Sequence, residues 1–104
     1  MNKGKKDNSN SKILKELRGK TILVTGGSGS VGSVLVKKLL DYPVKAVRVL
    51  DIDEHSLFKL GRSLKDKRLR LLLGSILDKE RIEMAGHKVD IIFHTAAVKN
   101  IEIS

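Results

Sequence analysis

The eight residues Thr25-Gly26-Gly27-Ser28-Gly29-Ser30-Val31-Gly32 place four glycines between an aliphatic run and an apolar-periodic segment. Glycine at such places lets the main chain turn sharply and approach a ligand closely, where any Cβ would collide. The residues that follow open a helix, whose first N–H groups and dipole favour a phosphate. The chemistry on offer is main-chain capture of a dinucleotide pyrophosphate. Gly27, Gly29 and Gly32 match one known spacing for it, and Gly26, Gly29 and Gly32 match a second. Asp51 lies about twenty residues past the glycines, where a carboxylate accepts hydrogen bonds from an adenosine ribose. The plainer alternative is an ordinary tight turn, with Asp51 capping the helix after it.

The elements that must position these groups follow from periodicity. Thr21-Ile22-Leu23-Val24 is short and aliphatic, as a buried parallel strand should be, and strand one is expected over Lys20 to Thr25. Val31, Val34, Leu35 and Leu39 recur at helical spacing and predict one buried face on a helix from Val31 to Asp41, ended by Tyr42-Pro43. Strand two is expected over Lys45 to Leu50, then a helix over Glu54 to Lys65 with Leu57, Leu60 and Leu64 inward. Strand three covers Arg68 to Leu73, a short helix Asp78 to Ala85, and strand four Val89 to His94. Ahead of them, Lys12 to Arg18 reads as a lead-in helix with Ile13, Leu14 and Leu17 at contact spacing and Gly19 as its stop. Strict alternation of strand and helix predicts an α/β fold with parallel pairing and right-handed crossovers. Residues 1–12 read as a disordered basic tail and residues 13–104 as one nucleotide-binding unit.

Composition narrows the choices further. The chain has 104 residues, short for a dinucleotide enzyme with its own substrate site. Without cysteine, disulfides, thiolate metal sites and cysteine catalysis are excluded. No apolar stretch is long enough to cross a membrane, and Met1 to Lys12 lacks a secretory core, so a cytoplasmic protein is expected. The net charge of +9 invites a nucleic-acid reading. Yet residues 1–20 hold seven Lys or Arg against Asp7 and Glu16, so over half of the excess lies in the tail and lead-in helix. A second cluster, Arg62, Lys65, Lys67, Arg68 and Arg70, surrounds a helix-to-strand junction and reads as a solvated basic surface. Phe58, Phe93 and Tyr42 are the only aromatics and interleave with neither cluster, which argues against stacking on bases. His55 and His87 have no partner at metal-ligand spacing, so no metal is assigned.

Four segments together resemble the extended short-chain dehydrogenase/reductases: Thr25 to Gly32, Asp51, Gly74-Ser75-Ile76-Leu77-Asp78, and Phe93-His94-Thr95-Ala96-Ala97. The stretch His94-Thr95-Ala96-Ala97-Val98-Lys99-Asn100 is similar to the His-x-Ala-Ala-x-Lys-His of the polysaccharide-biosynthesis branch. That branch includes UDP-N-acetylglucosamine 4,6-dehydratases and related epimerases. The likeness runs from Arg18 onward and implies a three-layer Rossmann-type half, sheet order 3-2-1-4, with helices on both faces. By position it implies that Gly26, Gly29 and Gly32 line the pyrophosphate and that Ser28, Ser30 and Val31 offer backbone contacts. Asp51 would hold the ribose and repel a 2′-phosphate, favouring NAD over NADP; Ile52 stands where NADP-preferring relatives carry a basic residue. Ser75 and Ile76 would lie beside the adenine, although many relatives have Asp at the place of Ser75. Ala96 and Ala97 would let the chain pass close to the cofactor ribose. Lys99 would reach a diphosphate, or be an exposed loop lysine. His94 reads as a packing and hydrogen-bonding residue.

A full-length relative is implied to oxidise the C4 hydroxyl of a UDP-sugar, passing hydride to the nicotinamide, before dehydration or epimerisation. The family performs this with a Tyr-x-x-x-Lys pair after a fifth strand. Tyr42 is the only tyrosine, stands before Pro43, and has Ala46 four residues on, so no catalytic residue is assigned. The chain therefore reads as the NAD(P)-binding portion of such an enzyme, not catalytic by itself. Strand four, with Val89, Ile91, Ile92 and Phe93, would form an open edge, so self-association or aggregation is expected. Two alternatives remain at this stage: a stand-alone nucleotide-binding module, and a nucleic-acid binder acting through its basic tail.

Overall fold

Short aliphatic runs can bury both faces only inside a layered sheet, and here they do. The computed structural model describes residues 11–95. In it α1 covers residues 11–17 and is followed by β1 (Thr21–Thr25), α2 (Ser30–Leu39), β2 (Ala46–Asp51), α3 (Glu54–Leu64), β3 (Leu69–Leu73), α4 (Lys79–Ala85) and β4 (Ile91–His94). The four strands form one parallel sheet in the order β3-β2-β1-β4, as the sequence predicts. Most of the expected tail lies outside the described residues, but residues 11 and 12 belong to α1.

The pleat sorts the strand residues into two cores. Ile22, Val24, Val47 and Val49 pack with Val36 and Leu39 of α2 and with Leu57 and Leu60 of α3. On the other face Leu23 and Leu50 pack with Ala85 of α4, and Leu72, Ile76, Ile82 and Val89 close around them. The result is three layers, with β1 buried along its whole length because helices cover both of its sides.

The sequence misjudges the rotation of α2. Val31 and Val34, expected on its inner face, are 72% and 56% exposed, whereas Gly32, Val36 and Leu39 are buried. The reason is contact, not hydrophobicity. Gly32 must lie against the turn below it, which puts positions 32, 36 and 39 on the sheet side and swings 31 and 34 away. Ile13 of α1 is also exposed; Leu17 is the residue that seats that helix.

Several polar groups satisfy the ends of the helices. Asp53 accepts the Ser56 N–H at 3.2 Å and so opens α3; Asp78 accepts the Arg81 N–H at 3.2 Å and opens α4. Asp51 therefore does not cap α3. Arg68 is not a solvated cation: its guanidinium donates to Leu40 O at 2.6 Å and Tyr42 O at 2.8 Å, beyond the end of α2, while pairing with Asp66 at 2.8 Å. Arg48, in the middle of β2, donates to Ala85 O at 2.8 Å and His87 O at 2.7 Å and thereby ties down the C-terminal end of α4. Along the amino ends of the strands, Thr21 and Asp90 exchange two bonds of 2.8 Å, Gly19 N–H donates to Pro43 O at 2.9 Å, and Lys45 N–H donates to Lys20 O at 2.8 Å.

Two expectations follow. Arg68→Ala removes bonds that carry charge at a partly buried junction, and should lower the unfolding free energy by about 1–3 kcal/mol in urea denaturation. The Arg68 side chain, with help from its own N–H, holds the Asp66 carboxyl down at about 2. A carboxyl lowered by folding stabilises the fold at pH values above its unfolded value, and that contribution fades as pH falls toward the folded one. Thermal melts should therefore lose stability between about pH 4 and pH 2, and Asp66→Asn should flatten that part of the profile.

Candidate functional site

All four strands are parallel, so their carboxyl ends share one rim, and the order reverses between β1 and β4. Crevices of this kind are where open α/β sheets take ligands. The turn after β1 occupies it. Gly26 has a φ of +73°, a left-handed conformation that glycine adopts without steric cost, and its N–H donates to Leu50 O at 2.7 Å. The chain thus leaves β1, touches the end of β2, and turns back under α2.

Gly32 is needed for a different reason. A Cβ there would overlap Gly26 O and crowd Gly27 Cα, so the helix can rest on the turn only without one. Gly27 faces the valine core, where an added Cβ would come within 2.7 Å of Val49 Cγ1. Gly29 is the contrast: its added Cβ would meet only Gly26 O, at an ordinary 3.5 Å. Of the two glycine spacings, Gly26, Gly29 and Gly32 therefore carry the turn and the space above it, and Gly27 serves packing.

Electrostatics point the same way. α3 and α4 begin with an aspartate cap and a glutamate in the first turn, but α2 has no side-chain cap and no acid there. The N–H groups of Ser30, Val31 and Gly32 open this helix, where orphan donors gather and the dipole is positive. Val31 stands 72% exposed beside them.

Asp51 is the last residue of β2, not the residue after it. Its Oδ2 accepts the Ser28 hydroxyl at 2.5 Å and the Ser28 N–H at 3.2 Å, while Oδ1 accepts the Asp53 N–H at 3.2 Å. This brings the carboxylate against the glycine turn. Sequence reasoning assigned Ser28 only a backbone contact, and no spacing rule links a turn serine to an acid 23 residues on.

The remaining candidates fall into two groups. Gly74 N–H donates to Asp51 O at 2.9 Å, which sets the loop after β3 beside the acid. In that loop the Ser75 hydroxyl accepts the Leu77 N–H at 3.0 Å, and Ile76 is half-buried against the Leu23 and Leu50 core. Ile76 is thus a packing residue of the loop as well as a candidate neighbour of a base. His94 Nδ1 and Thr25 Oγ1 are 2.9 Å apart, and Thr95 donates to Thr25 O through both its N–H, at 2.8 Å, and its hydroxyl, at 2.7 Å. Ala96, Ala97 and Lys99 lie outside the described residues.

Known proteins resemble this chain. A family model described as polysaccharide biosynthesis protein matches residues 22–104. An uncharacterized membrane protein of Methanocaldococcus jannaschii is 46% identical over 81% of this chain and 25% of its own length. An inverting UDP-N-acetylglucosamine 4,6-dehydratase of Campylobacter jejuni is 34% identical over 83% of this chain and 26% of its own. The crystal structure of the Bordetella bronchiseptica enzyme WbmF with NAD+ superposes with a TM-score of 0.64 at 29% identity, covering 78% of this chain and 24% of that one. The chain spans about a quarter of the length of the curated relatives it matches. Among the described residues, no helix is long and apolar enough to cross a membrane.

The glycine geometry separates two substitutions by their cost. Gly32→Ala should cost about 1–3 kcal/mol of stability by overpacking, read by chemical denaturation. Gly29→Ala should stay within about 0.5 kcal/mol of the parent, since nothing occupies the space its methyl enters.

Proposed function

Because this chain belongs to the polysaccharide biosynthesis protein family, we propose that it holds the adenine end of a nicotinamide cofactor, NAD rather than NADP, for a nucleotide-sugar dehydratase or epimerase. The substrate class is a UDP-sugar. One observation carries the reading: an uncapped helix start and an open Gly29 stand beside a strand-end carboxylate.

The residues fit the group they would hold. The turn leaves Gly29 free of side-chain contacts, a cradle that a larger residue would fill. The N–H groups of Ser30, Val31 and Gly32 would donate to the pyrophosphate, with the helix dipole adding its positive end. Asp51 would accept from the ribose hydroxyls. Its charge also disfavours a 2′-phosphate, and the side chain next to it, Ile52, is 71% exposed and offers no cation to a phosphate. Ser75 and Ile76 would flank the adenine from the loop that Asp51 O anchors. Val31, exposed at the mouth, would be covered by the bound cofactor, as would the small residues Ala96 and Ala97; Lys99 would meet a diphosphate.

When bound, the nicotinamide supplies reversible hydride transfer at a sugar carbon. The contribution of this chain is to bind and orient, because none of its described side chains is assigned to proton transfer. His94 fits a supporting role, its ring tied to Thr25 at the rim.

Titration calorimetry of the chain with both cofactors tests the reading. NAD should bind at least about tenfold more tightly than NADP, and Gly29→Ala should weaken NAD while leaving the melting temperature close to that of the parent. Absence of heat with NAD, or equal affinity for the two, would overturn it.

A further inference from the structure

The Asp51 carboxylate is held from two sides. Three donors reach it: the Ser28 hydroxyl and Ser28 N–H on Oδ2, and the Asp53 N–H on Oδ1. Two of these are main-chain groups that every residue type except proline provides. The hydroxyl is the one donor that depends on which residue stands in the turn. Its bond is also the shortest of the three. Ser28 lies between Gly27, whose place is fixed by the valine core, and Gly29, the N-cap of α2. The geometry of the clamp is therefore inherited from the packing of α2 on β1.

We infer that Ser28 is a positioning residue: its hydroxyl fixes the Asp51 carboxylate at the ribose subsite and so sets the discrimination between NAD and NADP. This rests on the dinucleotide reading given above. A carboxylate already fixed in orientation receives a ribose diol without a further ordering cost. It also cannot swing aside to relieve repulsion from a 2′-phosphate. Both effects act in the same direction, toward NAD. A carboxylate has about four lone-pair directions, so three donors leave it able to accept from a ligand, and the hydroxyl can share Oδ2 with an incoming ribose donor. Without the hydroxyl, the side chain keeps its charge but is held only by two main-chain donors at 3.2 Å each, and so less firmly.

The test is a calorimetric titration of the full chain and of Ser28→Ala, Ser28→Thr and Ser28→Cys with NAD and with NADP, the fold of each being checked by circular dichroism. Ser28→Ala should weaken NAD about tenfold and leave NADP unchanged or tighter, so that the preference falls by about that factor. Ser28→Thr, which keeps the hydroxyl, should retain the preference. Should Ser28→Ala fail to fold, Ser28→Cys carries the test, since a thiol of similar size is a weak donor and should lose the preference likewise. In an Asp51→Asn background, Ser28→Ala should change the NAD to NADP ratio no further. An equal loss for both cofactors would mean that the hydroxyl merely supports the turn, and an undiminished effect in the Asp51→Asn background would mean that it acts apart from the carboxylate; either overturns the inference. If the unsubstituted chain binds NAD preferentially and Ser28→Ala keeps that preference undiminished, only this inference fails. If the unsubstituted chain binds neither cofactor, the dinucleotide reading fails and this one with it.

Discussion

Two stretches of main chain meet where α2 lies on the turn after β1, and no side chain separates them. Gly32 makes that approach, against Gly26 O and Gly27 Cα, and the rest of the domain is arranged around it. The contact decides which face of α2 meets the sheet, hence that Val36 and Leu39 enter the core while Val31 does not. It also decides where the first amides of the helix lie, hence where a ligand can be held. The absence of a Cβ at Gly32 that permits close packing also brings the helix start to the rim.

Strand and helix order were legible in the sequence, because period-two and period-3.6 patterns survive in short aliphatic runs and because glycine and proline punctuate them. Strand limits fell within two residues of those expected, parallel pairing followed from the alternation, and the sheet order is the one that the family resemblance implies. The phase of α2 was not legible. Val31 and Val34 are as apolar as Val36, and only the steric demand of Gly32 tells the inner positions from the outer ones. Of the site, the glycines and Asp51 stood out by spacing. Ser28 did not, because a hydrogen bond between a turn and the end of the next strand depends on a register that one-dimensional patterns do not encode.

Charge was the least readable property. A count of lysines and arginines suggests a uniformly solvated basic surface, yet Arg68 and Arg48 spend their guanidinium donors on backbone carbonyls. Each donates at the carboxyl-terminal side of a helix, where main-chain carbonyls lack intrahelical partners. Arg68 steadies the chain beyond α2, and Arg48 reaches across from β2 to the end of α4, the helix that covers the second face of the sheet. Such cations contribute to net charge on paper and to architecture in fact.

The opposite rim of the sheet is built on another plan. There the Asp90 carboxylate accepts Thr21 N–H while Asp90 N–H donates to Thr21 O, and Gly19 and Pro43, like Lys20 and Lys45, are joined by main-chain bonds that few substitutions can reach. The carboxyl rim has main-chain bonds as well, from Gly26, Gly74 and Thr95, and adds more side-chain bonds to them, among them those of Ser28, Asp51 and Ser75. Side chains along the carboxyl border can therefore be exchanged while the other border serves as an unaltered hem, which gives the scaffold room to diversify without first becoming fragile.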